Sequence, residues 1–280
     1  MEFSSTLASN YASAKLVELL NRGFEGYVIP IHFTTDMFFN MLRKDSIDLA
    51  ESRVLLANKQ ECGIALIAPR RSLHASRVAA MGIVKEARGK GAGTWLMKQL
   101  VDDARARGER EMVLEVIEEN DPAIKLYRNY GFENMRRLVG YIRRDHSKDT
   151  EEKEESELQS VDLYEMGRLI SQYGLPDLPW QLSGESISQT KPPLHAFREG
   201  QAYIALSNPE AEHVVIWSLL VEPEARGHRL SIKLLKRVMA LHLGKTWHVP
   251  AVFPEELGVV FERAGFEKEM LSQWQMKLKL

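Results

Sequence analysis

Between Met81 and Leu100 the chain reads MGIVKEARGKGAGTWLMKQL, a spacing of glycines and basic residues that could hold an anion. An apolar run ends at Val84, and Arg88, Gly89, Lys90, Gly91 and Gly93 fill the short stretch behind it. Gly93, Leu96, Met97, Leu100, Val101 and Ala104 then recur at helical spacing and form one apolar face. The pattern predicts strand, Gly-rich turn, helix. A helix start leaves backbone N–H groups unpaired and carries about half a positive charge. Glycines let that backbone come close to a ligand, so the chemistry suggested is pyrophosphate binding. A tight strand-to-helix connection with no ligand gives the same pattern. Two other phosphate loops do not fit: Lys90-Gly91-Ala92 lacks the Gly-Lys-Ser/Thr of a nucleotide P-loop, and Gly91-x-Gly93 runs into Trp95-Leu96 where a dinucleotide loop needs a third glycine.

Arg88-x-x-Gly91-x-Gly93 after an apolar strand resembles the acyl-CoA loop of the GNAT N-acetyltransferases. A second block agrees in order and distance: LEVIEEN at Leu114–Asn120, then DPAIKLYRNYGFE at Asp121–Glu133. The resemblance covers about residues 1–144. It implies a mixed α/β (α+β) fold: a mostly antiparallel sheet flanked by helices, with one splayed parallel strand pair. It also implies acetyl-CoA as co-substrate and no metal. Carried over, the splayed strands are Met81–Val84 and Met112–Val116. The pantetheine would pair with backbone at Ile83 and Val84. Amides of Arg88, Gly89, Lys90, Gly91, Ala92, Gly93 and Thr94 would hold the pyrophosphate. Asn120 would contact the pantetheine arm or cap the following helix.

The resemblance places a general acid at Tyr127; its alternative is a ring packed against the strands. The acceptor amine must be neutral to attack. A lysine-like amine of pKa about 10.4 is only ~0.1% neutral near pH 7.4, whereas an α-amino group near 7.8 is about a third neutral and hardly needs a base. Glu115 is the first candidate base, or else a strand carboxylate with no such role; Glu118 and Glu119 follow it. Tyr27 and His32, between the first two helices, are candidate acceptor-binding residues. Arg70 and Arg71 could meet an acidic substrate or simply line a solvated turn. The acceptor is expected to be a small-molecule or peptide amine.

The elements that must position these groups can be read around them. Helices are expected at Ala12–Leu20 and, behind a Thr35 cap, at Asp36–Arg43. Strands are expected at Arg53–Ala57, Gly63–Ala68, Val78–Val84 and Met112–Val116. Gly82 suggests a bulge or a close backbone approach. Asp121 is expected to cap a helix with Pro122 at its first position, and two strands near Phe132–Met135 and Leu138–Arg143 would close the domain.

The chain of 280 residues is long enough for two domains. Its formal net charge of −2 gives no broad electrostatic case for nucleic acid or an anionic membrane. The most apolar stretch, Val214 to Val221, is far short of the roughly 20 residues of a membrane span. The start, MEFSSTLASN, lacks the basic and apolar regions of a signal peptide. Cys62 is the sole cysteine and sits in a strand-like run, as a buried inert thiol would. No histidine spacing suggests a metal. These features point to the cytoplasm.

Residues 145–158 form an acidic linker: Asp145 to Glu157 carry seven acids against two lysines and almost no apolar group. Domain 1 is then 1–144 and domain 2 is 159–280. Domain 2 repeats the theme. Ser218 to Ser231 aligns with Ala80 to Gly93, and Glu86-Ala87-Arg88-Gly89 returns as Glu224-Ala225-Arg226-Gly227. But Gly91 becomes Arg229, Gly93 becomes Ser231, Tyr127 becomes Phe261, Glu115 becomes Phe253, and Asn120 has no counterpart. Domain 2 is expected to keep the fold without the site, in a structural role. The fused pair would be a monomeric pseudo-dimer or a homodimer. The leading expectation is an N-acetyltransferase acting by direct attack in domain 1; an acyl-CoA-binding scaffold without turnover is the alternative.

Overall fold

The computed structural model describes residues 2–144, 158–190 and 194–280; the acidic linker lies outside them. The chain forms two compact units. The first comprises Met1–Arg136 and Trp274–Leu280, the second Arg137–Gln273. The units therefore do not follow the division expected at 144 and 159.

The first unit begins with β1 (Phe3–Leu7), α1 (Ser13–Gly23), α2 (Thr35–Lys44), β2 (Asp48–Ala57), β3 (Gln60–Arg70) and β4 (Ala75–Ile83). It continues through α3 (Ala92–Ala106), β5 (Glu111–Ile117), α4 (Asp121–Asn129) and the start of β6 (Glu133–Arg144). Strands β1 to β4 are antiparallel neighbours and β5 joins β4 in parallel. The end of β12 (Glu267–Lys279) lies beyond β5. There the Leu280 amide donates to the Arg110 carbonyl at 2.9 Å, and Lys277 pairs with Glu111 at 3.0 Å.

Strand β3 is buried from Cys62 to Ala68 without alternation, as expected of a strand covered on both faces. Helix α1 lays Leu16, Val17, Leu19 and Leu20 against β3 and β4. Helix α3 buries Leu96, Met97, Leu100, Val101 and Ala104, the face expected from their spacing. Gly82 serves a close backbone approach: a Cβ there would lie 3.1 Å from the Gly23 backbone, so glycine at both positions lets the end of α1 touch β4. Cys62 is buried, and burial pushes its thiol pKa up.

The second unit holds β6, β7 (Gln159–Val161), α5 (Leu163–Tyr173), α6 (Gly184–Ser188), β8 (His195–Glu199), β9 (Ala202–Leu206) and β10 (His213–Val221). It closes with α7 (Leu230–Leu241), β11 (Thr246–Pro254), α8 (Val259–Arg263) and the first part of β12. Its sheet runs β6-β11-β10-β9-β8-β7, with β10 and β11 parallel and the other neighbours in this order antiparallel. Trp247, Phe253, Phe261 and Phe266 centre its core.

Several local expectations shift. The two closing strands are one continuous strand, β6, and β1 had no sequence signal strong enough to mark it. Thr34, not Thr35, caps α2, accepting from the Met37 amide at 3.2 Å. Asn120, not Asp121, caps α4 through its contact with the Ala123 amide at 3.3 Å.

Candidate active site

Strands β4 and β5 pair over three positions, Ala75–Glu111, Ser76–Met112 and Arg77–Val113, and then part. Ala79 has no partner on β3, since Ile67 faces Val78 and Leu66 faces Ala80. This bulge turns β4 away at the point of parting. Beyond it the Val84 amide donates to the Cys62 carbonyl at 2.9 Å. By antiparallel alternation, the main-chain groups of Met81 and Ile83 then face the opened side. Val84 is a correction: its N–H is committed to β3. The Ile83 carbonyl accepts from Arg88 Nε at 2.8 Å, which leaves the Ile83 N–H as the group available there.

Gly89 and Gly91 follow with φ of 71° and 83°, the left-handed region that glycine enters freely. A Cβ at either would meet nothing within 4 Å. Gly91 is the N-cap of α3, and no side chain caps that end. The first-turn amides of Ala92, Gly93 and Thr94 have no partner within the helix by construction. Lys90 and Thr94 are exposed. The Arg88 side chain is turned the other way: it donates to the Ile83, Gly23 and Glu25 carbonyls at 2.8, 2.9 and 2.7 Å. It clamps the loop to the end of α1 and is not directed to a phosphate.

Tyr27, Asn120 and Tyr127 come together. Asn21 pins the α1–α2 connection by two hydrogen bonds to the Phe33 backbone, at 2.7 and 3.0 Å. Phe24 stacks edge-on to Phe33 and Tyr27 at 5.3 and 5.1 Å. Tyr27 lies beside Asn120; burial raises its pKa and the Asn120 side chain opposes the rise. Tyr127 is buried on α4, with its ring 5.8 Å from Phe132. Burial, and then the neighbouring Tyr27, push its phenol well above the usual tyrosine range. His32 is exposed on the same connection.

Glu115 lies in a buried ion pair. Its Oε2 accepts from Arg77 Nε at 2.7 Å, with side-chain exposures of 3% and 6%. Arg77 Nη1 also reaches Asp45 Oδ2 at 3.3 Å. The lone Arg77 in an apolar strand was the sequence signal for this cluster, and it was missed. Glu119 is exposed, and Arg71 pairs with Glu51 at 3.1 Å on the surface.

The second unit repeats this construction. Its β10 and β11 also pair at three positions, His213–Thr246, Val214–Trp247 and Val215–His248, and Trp217 repeats the bulge. Arg226 repeats the clamp, donating to the Val221 and Tyr173 carbonyls at 3.1 and 2.5 Å. Arg229 holds the left-handed conformation of Gly91, with φ 58°. The paired register makes Pro250, not Phe253, the counterpart of Glu115, and Val215 that of Arg77.

Residues 15–132 match the family model described as "Acetyltransferase (GNAT) family". This stretch is a GNAT acetyltransferase domain. Over 64 residues the chain is 39% identical to N-alpha-acetyltransferase 30 of Schizosaccharomyces pombe, a match covering 23% of this chain and 43% of that relative. A GCN5-related N-acetyltransferase from Sphaerobacter thermophilus shares the fold with a TM-score of 0.70 at 15% identity, over 99% of this chain and 95% of that one. A tandem GNAT protein from the clavulanic acid biosynthesis pathway matches with a TM-score of 0.64 at 14% identity, over 99% and 98%. The architecture is thus a tandem GNAT fold, with Gly91 and Gly93 in the first unit and Arg229 and Ser231 at those places in the second. Among the described residues, no helix is long and apolar enough to cross a membrane.

Proposed function

We propose that the chain is an acetyl-CoA-dependent N-acetyltransferase whose first unit carries the site and whose preferred acceptor is an α-amino group. The observation that carries this reading is the parted strand pair leading to an uncapped, glycine-lined helix start, with a buried phenol nearby. The residues fit an acyl-CoA: Gly89 and Gly91 leave open the space that side chains would take, and the Ile83 amide faces the opened side.

Acetyl-CoA supplies, when bound, an acyl group activated as a thioester. Amides from Gly89 to Thr94 hold its pyrophosphate, and the exposed Lys90 adds charge. The Ile83 N–H orients the pantetheine arm. Asn120 caps α4 beside Tyr27, which lines the acceptor side with His32. The amine lone pair forms the new C–N bond as the C–S bond breaks, and Tyr127 Oη gives its proton to the leaving sulfur. The proton shed by the nitrogen as the amide forms passes to water, and water returns a proton to Tyr127 Oη. With Glu115 held by Arg77, an acceptor already partly neutral is favoured, which is the case for an α-amine and not for a lysine side chain. The N-alpha relative points the same way.

The test is thiol release from acetyl-CoA in the presence of a peptide α-amine, a lysine side-chain analogue and small amines. The α-amine should turn over fastest. Tyr127→Phe should lower kcat about 10- to 100-fold, the low end for general acid catalysis, with little change in KM for acetyl-CoA. Tight CoA binding with no thiol release on any amine, and no effect of Tyr127→Phe, would favour a scaffold instead.

A further inference from the structure

Where the β4–β5 ladder ends at Arg77 and Val113, side chains take over from main chain. The Arg77 guanidinium crosses to Glu115, two residues beyond the last pair, at 2.7 Å, and also reaches Asp45, the residue that terminates α2, at 3.3 Å. A buried ion cluster of this kind often contributes little net stability compared with well-packed apolar side chains, because desolvating the charges offsets their attraction. The second unit is an internal control. It has the same three-position ladder, the same bulge and the same parting of strands, with Val215 and Pro250 in the places of Arg77 and Glu115. The fold is therefore built without the cluster in the unit where Arg229 and Ser231 replace two loop glycines, and carries it in the unit that keeps Gly91 and Gly93.

We infer that Arg77 is a positioning residue of the acyl-transfer site: through Glu115 it sets how far β5 stands from β4, and through Asp45 it ties the end of α2 to the same point. This rests on the reading of the first unit as the transfer site. Strand β5 leads through Asn120 into α4 and Tyr127, whereas the thioester arm lies along β4. The width of the fork thus sets the distance from phenol to leaving sulfur, and a misplacement of about 1 Å can reduce a rate by about 10²-fold. The pyrophosphate loop is not part of the cluster, so donor affinity should be spared.

The experiment compares the parent with Arg77→Lys and with a triple variant, Asp45→Asn, Arg77→Val and Glu115→Leu, which makes the fork apolar. Thiol release, CoA affinity by calorimetry and amide hydrogen exchange at residues 114–117 are measured for each. The triple variant should show kcat reduced at least tenfold, a CoA Kd within threefold of the parent, and faster exchange at 114–117. Arg77→Lys keeps the buried charge and should fold as the parent does, with kcat reduced several-fold. Parent-like kcat and exchange in both variants would overturn the inference, as would loss of CoA affinity in step with kcat. A parent that binds CoA and turns over no amine would sink the functional reading alone; faster exchange at 114–117 would still support the tie, and unchanged exchange would remove it.

Discussion

At the scale of single residues, Gly91 and Arg229 are the most informative pair. Both hold the left-handed conformation at the start of a helix, so the backbone path does not itself demand glycine. What glycine provides at 91 is open space above the amides. Gly91→Arg should therefore fold, because Arg229 shows the conformation to be accessible, and should weaken CoA binding at least tenfold. Calorimetry with a melting curve alongside checks both halves. Lys44 offers a pH test. Burial lowers its ammonium pKa to about 8, with Arg77 adding to the effect and Asp45 opposing it. The folded state then binds fewer protons than the unfolded chain between about pH 8 and the ordinary lysine value of about 10.4, so stability rises with pH across that window. Lys44→Met should raise Tm at pH 7, and the gain should shrink as the pH approaches 10; a gain that is constant with pH would refute this origin. The loop glycines and the α3 face were legible in the sequence because a loop motif and helical periodicity are local, and Tyr127 was singled out by the resemblance of a second local block. The Arg77–Glu115 tie was not, since it joins residues far apart in the chain, and strand pairing alone brings them together.

At the scale of elements, the repeated clamp changes the meaning of Arg88. The same arginine in the second unit, Arg226, makes the matching contacts to carbonyls although Arg229 and Ser231 stand where the first unit has Gly91 and Gly93. An arginine that makes the same clamp in both units is holding an element junction. Arg88→Ala removes charged donors from three carbonyls and should lower stability by roughly 1.5–3 kcal/mol, read as a shift of the denaturation midpoint. The loss of CoA affinity should be smaller than for Gly91→Arg. Element register also explains the misread counterpart of Glu115. Helix α7 has 12 residues where α3 has 15, so an offset that holds through the loop slips by the time the chain reaches the next strand. Motif alignment carried that offset too far, to Phe253, and only the parallel ladders reset it at Pro250.

At the scale of the whole molecule, each unit takes a strand from across the sequence boundary: Arg137–Arg144 pairs with β11 in the second unit, and Trp274–Leu280 belongs to the first. The acidic run marked a boundary by composition, but composition is silent on which sheet a neighbouring strand joins. Deleting residues 274–280 should destabilise the first unit and abolish thiol release even though no residue of the donor loop is touched. Normal turnover in the truncated chain would refute this. The crossing also has a consequence for synthesis. A ribosome completes the entire second unit before it makes the strand that lies beyond β5, so the first unit waits with one sheet edge bare, a state prone to pairing with other chains. Catalytic competence then arrives only once Trp274–Leu280 has been made, and a nascent chain stalled before Trp274 has a donor loop but not the sheet that supports it.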